Sequence, residues 1–297
     1  MTNRIIDVSD NANLHIIHSN LAVEKGGEVL SSIPLEDIAA LVLSCPWLSV
    51  SHAVLSEVTS AGGIIVICDQ KHQPAGMVMP LDSHFTQGER FKIQAGVSKP
   101  VQKRLWQKIV AAKIKAQSRL LFKLNNEDMG LFEIAGKVSS GDFGNREAMA
   151  AQRYWKALFK NDNNFRRDRD GEDQNRLLNY GYAILRATVA RAVCASGLHP
   201  ALGIHHHNKY DPFCLASDLM EPYRPLVDEA VACIFEKHGK TVPLSREIKE
   251  RLLLPFTQTY GVKRESLTLF SHVSKTASSL VSIYSGEGKE LYLPLLN

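Results

Sequence analysis

Apolar and polar residues alternate in short runs over the first eighty or so positions and recur at a helical period over the rest. Residues 4–8, 13–18 and 21–24 are β-branched runs separated by Asp10-Asn11 and Ser19-Asn20. Runs at 28–32 and 38–43 continue the pattern on either side of a turn at Pro34-Leu35-Glu36-Asp37. Residues 51–61 predict a single helix, with Ser51 as its N-cap and Gly62-Gly63 as its stop. The five apolar residues at 64–68 have the pattern of a buried strand, and 76–81 predict another, closed by Pro80 and Asp82.

The pattern then changes. Residues 83–100 are polar and without period, and are expected to be a linker. Residues 101–124 place Leu105, Ile109, Val110, Ile114 and Leu120 on one helical face and seven lysines and arginines around it. Further helices are predicted at 126–137, 144–160, 176–196, 215–238, 244–256 and 263–283, with a charged loop at 161–174. The expected fold is therefore α+β in two domains. A small N-terminal β-rich domain (1–84) precedes a larger all-α-helical domain (85–297).

Composition adds few constraints. The 297 residues are 44% hydrophobic and 22% charged, which is ordinary for a globular chain able to bury a core without disulfides. The net charge of +4 permits a polyanionic partner without demanding one. Five cysteines, none in a C-x-x-C pair, read as reduced and mostly buried thiols. No apolar run approaches the roughly 20 residues of a bilayer span. The opening residues lack the apolar core of a signal peptide, so a cytoplasmic, soluble protein with no membrane partner is expected.

The chemistry concentrates at 197–228. His205, His206 and His207 lie in a Gly/Pro-punctuated loop, and Asp218 and Glu221 follow on a helix-like segment, three apart and so on one face. Imidazole and carboxylate donors together suit a divalent ion such as Mn²⁺ or Mg²⁺. Spacing alone does not choose among the three histidines. Glu147 begins an otherwise apolar stripe of Ala151, Tyr154, Trp155 and Leu158, and an inward-facing acid needs a cation or a hydrogen-bond partner. The helix dipole alone would also favour an acid there. Trp106 and Trp155 read as core residues. No Asp or Glu occurs between Lys99 and Lys123, so Lys103, Arg104, Lys108, Lys113 and Lys115, with Arg146 beside the site, are candidate phosphate contacts.

Four separated blocks carry a family resemblance: residues 34–81, NREAMAAQRYW at 145–155, LLNYGYAILRATVARAVCASGLHPALGIHHHN at 177–208 and DLMEPYRPLVD at 218–228. With these the chain resembles the CRISPR-associated adaptation integrase (Cas-one) family, most closely its type II version. The resemblance implies a metal-dependent DNA endonuclease and integrase using Mg²⁺ or Mn²⁺. Such an enzyme inserts foreign DNA fragments into the CRISPR array by 3′-hydroxyl attack on the repeat phosphodiester. It implies Glu147, His206 (from the G-x-x-H pattern) and Glu221 as catalytic metal ligands, with Asp218 as an auxiliary acid. It also implies double-stranded DNA, a homodimer, a small ferredoxin-like adaptation protein completing a heterohexamer, and an RNA-guided effector nuclease as partners. Two other readings compete. One is a non-catalytic DNA-binding scaffold of the same complex. The other is a helical Zn²⁺ or Ni²⁺ sensor that enlists Cys214.

Overall fold

The computed structural model describes residues 4–80, 84–162, 164–262 and 265–296. The strands β1 (Arg4–Val8), β2 (Asn13–Ile17), β3 (Asn20–Lys25), β4 (Glu28–Pro34), β5 (Ile38–Leu43) and β6 (Ser49–Val50) come first, then helix α1 (His52–Ser60), then β7 (Ile64–Cys68) and β8 (Pro74–Val78). They form two four-stranded sheets in the orders β1-β5-β7-β8 and β4-β3-β2-β6. In the first sheet β1, β5 and β7 run parallel and β8 antiparallel.

All six residues of β5 are buried, which explains its unbroken apolar sequence: a strand covered on both faces has no polar side to show. Ile38, Leu41 and Leu43 join Leu14, Leu21, Ile33, Val54 and Val58 in a core beneath α1. Ala39, Ala40 and Val42, with Ile64 and Val66 of β7, enter the larger core built by the helices. This sheet therefore belongs to both cores and joins the strands to the helical part without a gap.

The helical part comprises α2 (Gln87–Ala95), α3 (Lys99–Asn125), α4 (Leu131–Gly136), α5 (Arg146–Leu158), α6 (Gln174–Ala195), α7 (Cys214–Met220), α8 (Arg224–His238) and α9 (Arg246–Thr257). A hairpin of β9 (Thr259–Val262) and β10 (Glu265–Thr268) then leads to α10 (Leu269–Tyr284). α6 is the buried axis. At Gly181 a Cβ would lie 2.4 Å from Cγ1 of Val227, so glycine lets α6 and α8 approach closely.

Three sequence expectations change. The linker at 83–100 contains α2, and its polar side chains serve a loop: Gln94 Nε2 donates to the carbonyls of His199 and Leu202, and Arg90 donates to Ser196 O. The helix expected from 126 starts at Leu131, because the Asp128 carboxylate accepts from the N–H groups of Gly130 and Phe132 and holds a turn there. The C-terminal part is not wholly helical. The hairpin β9–β10 occupies part of the segment read as the last helix, since Thr259 to Thr268 pair across it. Residues 81–83 and 263–264, which the predicted strand, linker and last helix include, lie outside the described residues.

Candidate functional site

Glu147 is placed by the start of α5. Gly141, Asp142 and Asn145 adopt left-handed backbone, and the Asp142 carboxylate accepts from the N–H groups of Arg146 and Glu147. The first turn is thereby fixed with Glu147 facing α3. There its Oε1 meets Lys113 Nζ at 2.7 Å. The same ammonium lies 2.6 Å from Oε2 of Glu221. Glu221 sits in a single 3-10 turn over Glu221–Tyr223 that joins α7 to α8, with Pro222 and Pro225 at first-turn positions where a missing N–H costs nothing. Its other oxygen, Oε1, accepts from Arg224 at 2.8 Å.

The histidine loop is held from beneath. Asp218, fully buried on α7, accepts from the backbone N–H groups of Ile204 at 2.6 Å, His205 at 2.9 Å and His206 at 3.3 Å. Its Oδ1 also pairs with Nδ1 of His206 at 2.5 Å. Gly203 makes this wrap possible: a Cβ there would lie 2.3 Å from His206 O. With Nδ1 engaged, Nε2 is the His206 nitrogen left for a ligand, the usual arrangement of an oriented metal-binding imidazole. Trp106, buried on α3, stacks on His205 with ring centres 4.2 Å apart and meets His206 edge-on.

The charges of this cluster are tightly coupled. Burial pushes the Glu221 carboxyl upward, but Arg224 and Lys113 overcome it and hold the pKa down to about 2. Burial alone would lower the Lys113 pKa, yet Glu221 and Glu147 raise it, so the ammonium stays charged. The hydrogen bond that His206 donates to Asp218 raises the pKa of His206, and burial lowers that of His205. Behind Glu221, Arg224 lies over the ring of Tyr182 at 4.1 Å. Tyr182 and Tyr154 both donate to the buried carboxylate of Asp228.

The structure thus brings Glu147, Glu221 and His206 into one electrostatic cluster. Among the described residues, however, no three His, Cys, Asp or Glu side chains are gathered closely enough to hold a metal by themselves. Lys113 stands between the two glutamates instead. The donor set still fits a hard divalent ion. Its two carboxylates and one imidazole suit Mg²⁺ or Mn²⁺, and a positive charge already occupies the gap, 2.6 Å from the buried Glu221 Oε2.

Three sequence readings are corrected here. Lys113 is not a surface phosphate contact, because its side chain is 11% exposed and bound by two carboxylates. Asp218 does not join the two glutamates around Lys113; its oxygens accept from the histidine loop, where it orients His206. Cys214 is not poised as a soft ligand, since its buried thiol donates to the carbonyls of Asn208 and Asp211. Of the other basic candidates, Lys103, Arg104 and Lys108 are exposed on α3, Lys115 is half-buried there, and Arg146 is half-buried on α5.

A groove of about 650 Å³ opens beside the cluster, and His206, Glu221 and Arg224 are among the residues that line it. Arg167, Arg169, Arg176 and Arg186, with Lys71 from the β7–β8 turn, bring positive charge to a lining that also holds Asp69, Asp170, Glu172 and Asp211, and Glu172 pairs with both Lys71 and Arg176. The sequence reading missed this surface. The mixed signs of the 165–173 segment read as a solvated loop, but several of its polar contacts fall within the segment or to the start of α6. Asn175 accepts from Arg167, and Asp173 caps α6.

The profile of the family described as CRISPR associated protein Cas1 matches residues 7–242. The chain belongs to the Cas1 family. It is 33% identical over 302 residues to the CRISPR-associated endonuclease Cas1 of Neisseria meningitidis serogroup C (strain 8013), covering 99% of this chain and 96% of that one. Two solved structures share its fold. One is a casposase bound to its integration product, with TM-score 0.79, 18% identity and 99% of this chain and 93% of that chain covered. The other is a chain of a Cas6-RT-Cas1–Cas2 complex, with TM-score 0.78 and 20% identity, of which this chain covers 36% while 98% of its own length is covered. The Cas1 match runs past every side chain of the cluster and through α8, and ends before α9.

Proposed function

We propose that this Cas1 chain is a metal-dependent DNA endonuclease and integrase that inserts foreign DNA fragments into a CRISPR array. The observation that carries the reading is the shared ammonium: Glu147 and Glu221, from different helical elements, converge on one cation and act electrostatically on an imidazole whose Nδ1 is already committed. Glu147, Glu221 and Nε2 of His206 would hold the ion. When bound, a divalent metal supplies Lewis-acid stabilisation of the charge that develops at a scissile phosphodiester.

The chain's own residues do the rest. Asp218 fixes the tautomer and direction of His206. Arg224 grips Oε1 of Glu221, so the carboxylate cannot rotate away. Arg167, Arg169 and Arg186 line the groove and would take phosphates of the strand, placing a 3′-hydroxyl for in-line attack on the repeat phosphodiester. With water as the attacking group the same arrangement cuts DNA.

The relatives support the setting of this reading. The Neisseria protein is named an endonuclease, the casposase is bound to an integration product, and the Cas1-bearing chain was solved with Cas2. On this reading the chain works in the cytoplasm as a homodimer on double-stranded DNA. A small ferredoxin-like partner completes a heterohexamer, in a type II system with its RNA-guided effector. Residues 1–84 would act as a β-rich unit and 85–297 as the catalytic one. No helix among the described residues is long and apolar enough to cross a membrane.

The test is strand transfer and cleavage with Mn²⁺ or Mg²⁺, a repeat-bearing plasmid and the partner protein. His206→Ala should abolish both reactions. His207→Ala, an exposed position, should leave them intact. It is a cleaner control than His205→Ala, which removes the stack on Trp106. Full activity of both His206→Ala and Glu147→Gln would show that catalysis does not use this site, and no strand transfer or cleavage by wild type under the same conditions would favour a DNA-binding scaffold.

A further inference from the structure

We propose that Lys113 is a built-in stand-in cation. It holds Glu147 and Glu221 at ligand separation before the metal arrives, and it must leave the gap between them for the divalent ion to bind. The inference rests on the metal-dependent reading above and adds to it a resident competitor for the metal.

Lys113 is unlike its neighbours on α3. Lys103 and Lys108 are exposed, as amphipathic lysines usually are, whereas the Lys113 side chain is 11% exposed. Its Nζ lies 2.7 Å from Glu147 Oε1 and 2.6 Å from Glu221 Oε2, so the two carboxylates are brought together by this ammonium. Two carboxylates this close repel unless a cation lies between them. Both contacts are short ion pairs to a single point charge, so the hold on each carboxylate is largely charge. A stronger charge can take over such a hold.

The rest of the cluster suits the exchange. Arg224 keeps Glu221 Oε1 at 2.8 Å whatever occupies the other side, so Glu221 stays in place when the ammonium withdraws. Lysine is also the right residue for a removable counter-ion. It is a point charge on a flexible four-carbon stem, without the planar fork by which arginine clamps a carboxylate through two bonds.

The test is Mn²⁺ binding by calorimetry on the full chain without DNA, for wild type, Lys113→Met and Lys113→Arg, with melting temperatures alongside. If Lys113 competes with the ion, Lys113→Met should bind Mn²⁺ more tightly, on the order of tenfold, as for two ligands that exclude one another. Its melting temperature should fall without metal, and Mn²⁺ should restore it by more than it raises that of wild type. Lys113→Arg, with a fork able to hold both carboxylates, should bind Mn²⁺ less tightly than wild type, which keeps the test open if the Met variant folds poorly. A purely structural lysine would instead give Mn²⁺ affinity equal to or weaker than wild type in the Met variant and unchanged in the Arg variant, and either result overturns the proposal. Glu147→Gln separates the two levels. If it fails to weaken Mn²⁺ binding, the metal-site reading itself falls. If it weakens binding while Lys113→Met does not tighten it, only the stand-in role falls.

Discussion

Nδ1 of His206 is bound to Asp218, a carboxylate with no exposed surface that also collects three backbone N–H groups of the same loop. One buried acid thus sets both the path of the loop and the direction of the imidazole. Sequence distance hides this, since the two residues are twelve positions apart on different elements.

Asp218→Asn tests that dual role. The amide can accept at one atom only, so some of the N–H groups that converged on a carboxylate would face an NH₂ donor. Losing the carboxylate behind a metal-binding imidazole typically costs 10–100-fold in metal affinity, roughly the loss expected for Mn²⁺ here. Calorimetry on the variant checks it. An unchanged Mn²⁺ affinity would show that His206 needs no anchoring by Asp218.

The close approach of α6 and α8 behind the cluster gives a packing prediction. Gly181→Ala would drive a Cβ to 2.4 Å from Val227 Cγ1, so the helices must separate. Overpacking of this kind costs about 1–3 kcal/mol. Val227→Ala removes the clashing methyls, so the double variant should be far more stable than the summed single losses predict. Urea unfolding of the four proteins measures the coupling, and strictly additive losses would contradict the direct contact.

Much of this was readable in the chain, for identifiable reasons. β5 announces itself because a strand buried on both faces must be apolar throughout, β7 by its unbroken apolar run, and α6 by its length and largely apolar sequence. Glu147 was legible as an acid on an apolar stripe, and Glu221 and the histidine triplet as donors near one another in sequence. Three other features were not legible. α2 looks like a linker because its polar side chains satisfy the backbone of a loop about 105 residues away. Lys113 looks like its exposed neighbours on α3, since nothing local shows that Glu147 and Glu221 lie opposite it. The arginines of the groove are interleaved with acids that also line it, so no basic run marks it in the sequence.

That groove makes a prediction about DNA. If Arg169 and Arg186 contact phosphates, Arg169→Glu and Arg186→Glu should weaken binding of duplexes with single-stranded ends regardless of sequence. Removing one phosphate-binding side chain should lower the salt slope by about one. Lys108→Glu, on exposed α3 and away from the groove lining, should have a smaller effect. Fluorescence anisotropy between low and moderate salt reads both quantities. A larger loss from Lys108→Glu would place the DNA along α3 instead.

Asp228 gives the stability of the fold a specific pH dependence. Burial raises its carboxyl from an ordinary 3.8 to about 6, and the hydrogen bonds from Tyr182 and Tyr154 and the charge of Arg224 only partly oppose this. A raised folded pKa means that the folded state binds the proton more tightly than the unfolded state. The resulting stabilisation is complete below about 3.8 and is lost as pH rises through about 6. Two pKa units correspond to about 3 kcal/mol at most. Glu221 behaves in the opposite sense: its folded pKa is held near 2, so its contribution is present above its ordinary 4.5 and fades only below that. Between pH 4.5 and 6, therefore, Asp228 titrates while Glu221 stays ionised. Wild type should gain stability relative to Asp228→Asn as pH falls from 7 to 5, because the asparagine carries no proton to take up. Urea unfolding of both proteins across that range isolates the contribution. A difference between them that is flat with pH would mean that Asp228 is already protonated, or already fully ionised, across the window, and that the Tyr154–Asp228–Tyr182 network is not balanced as described.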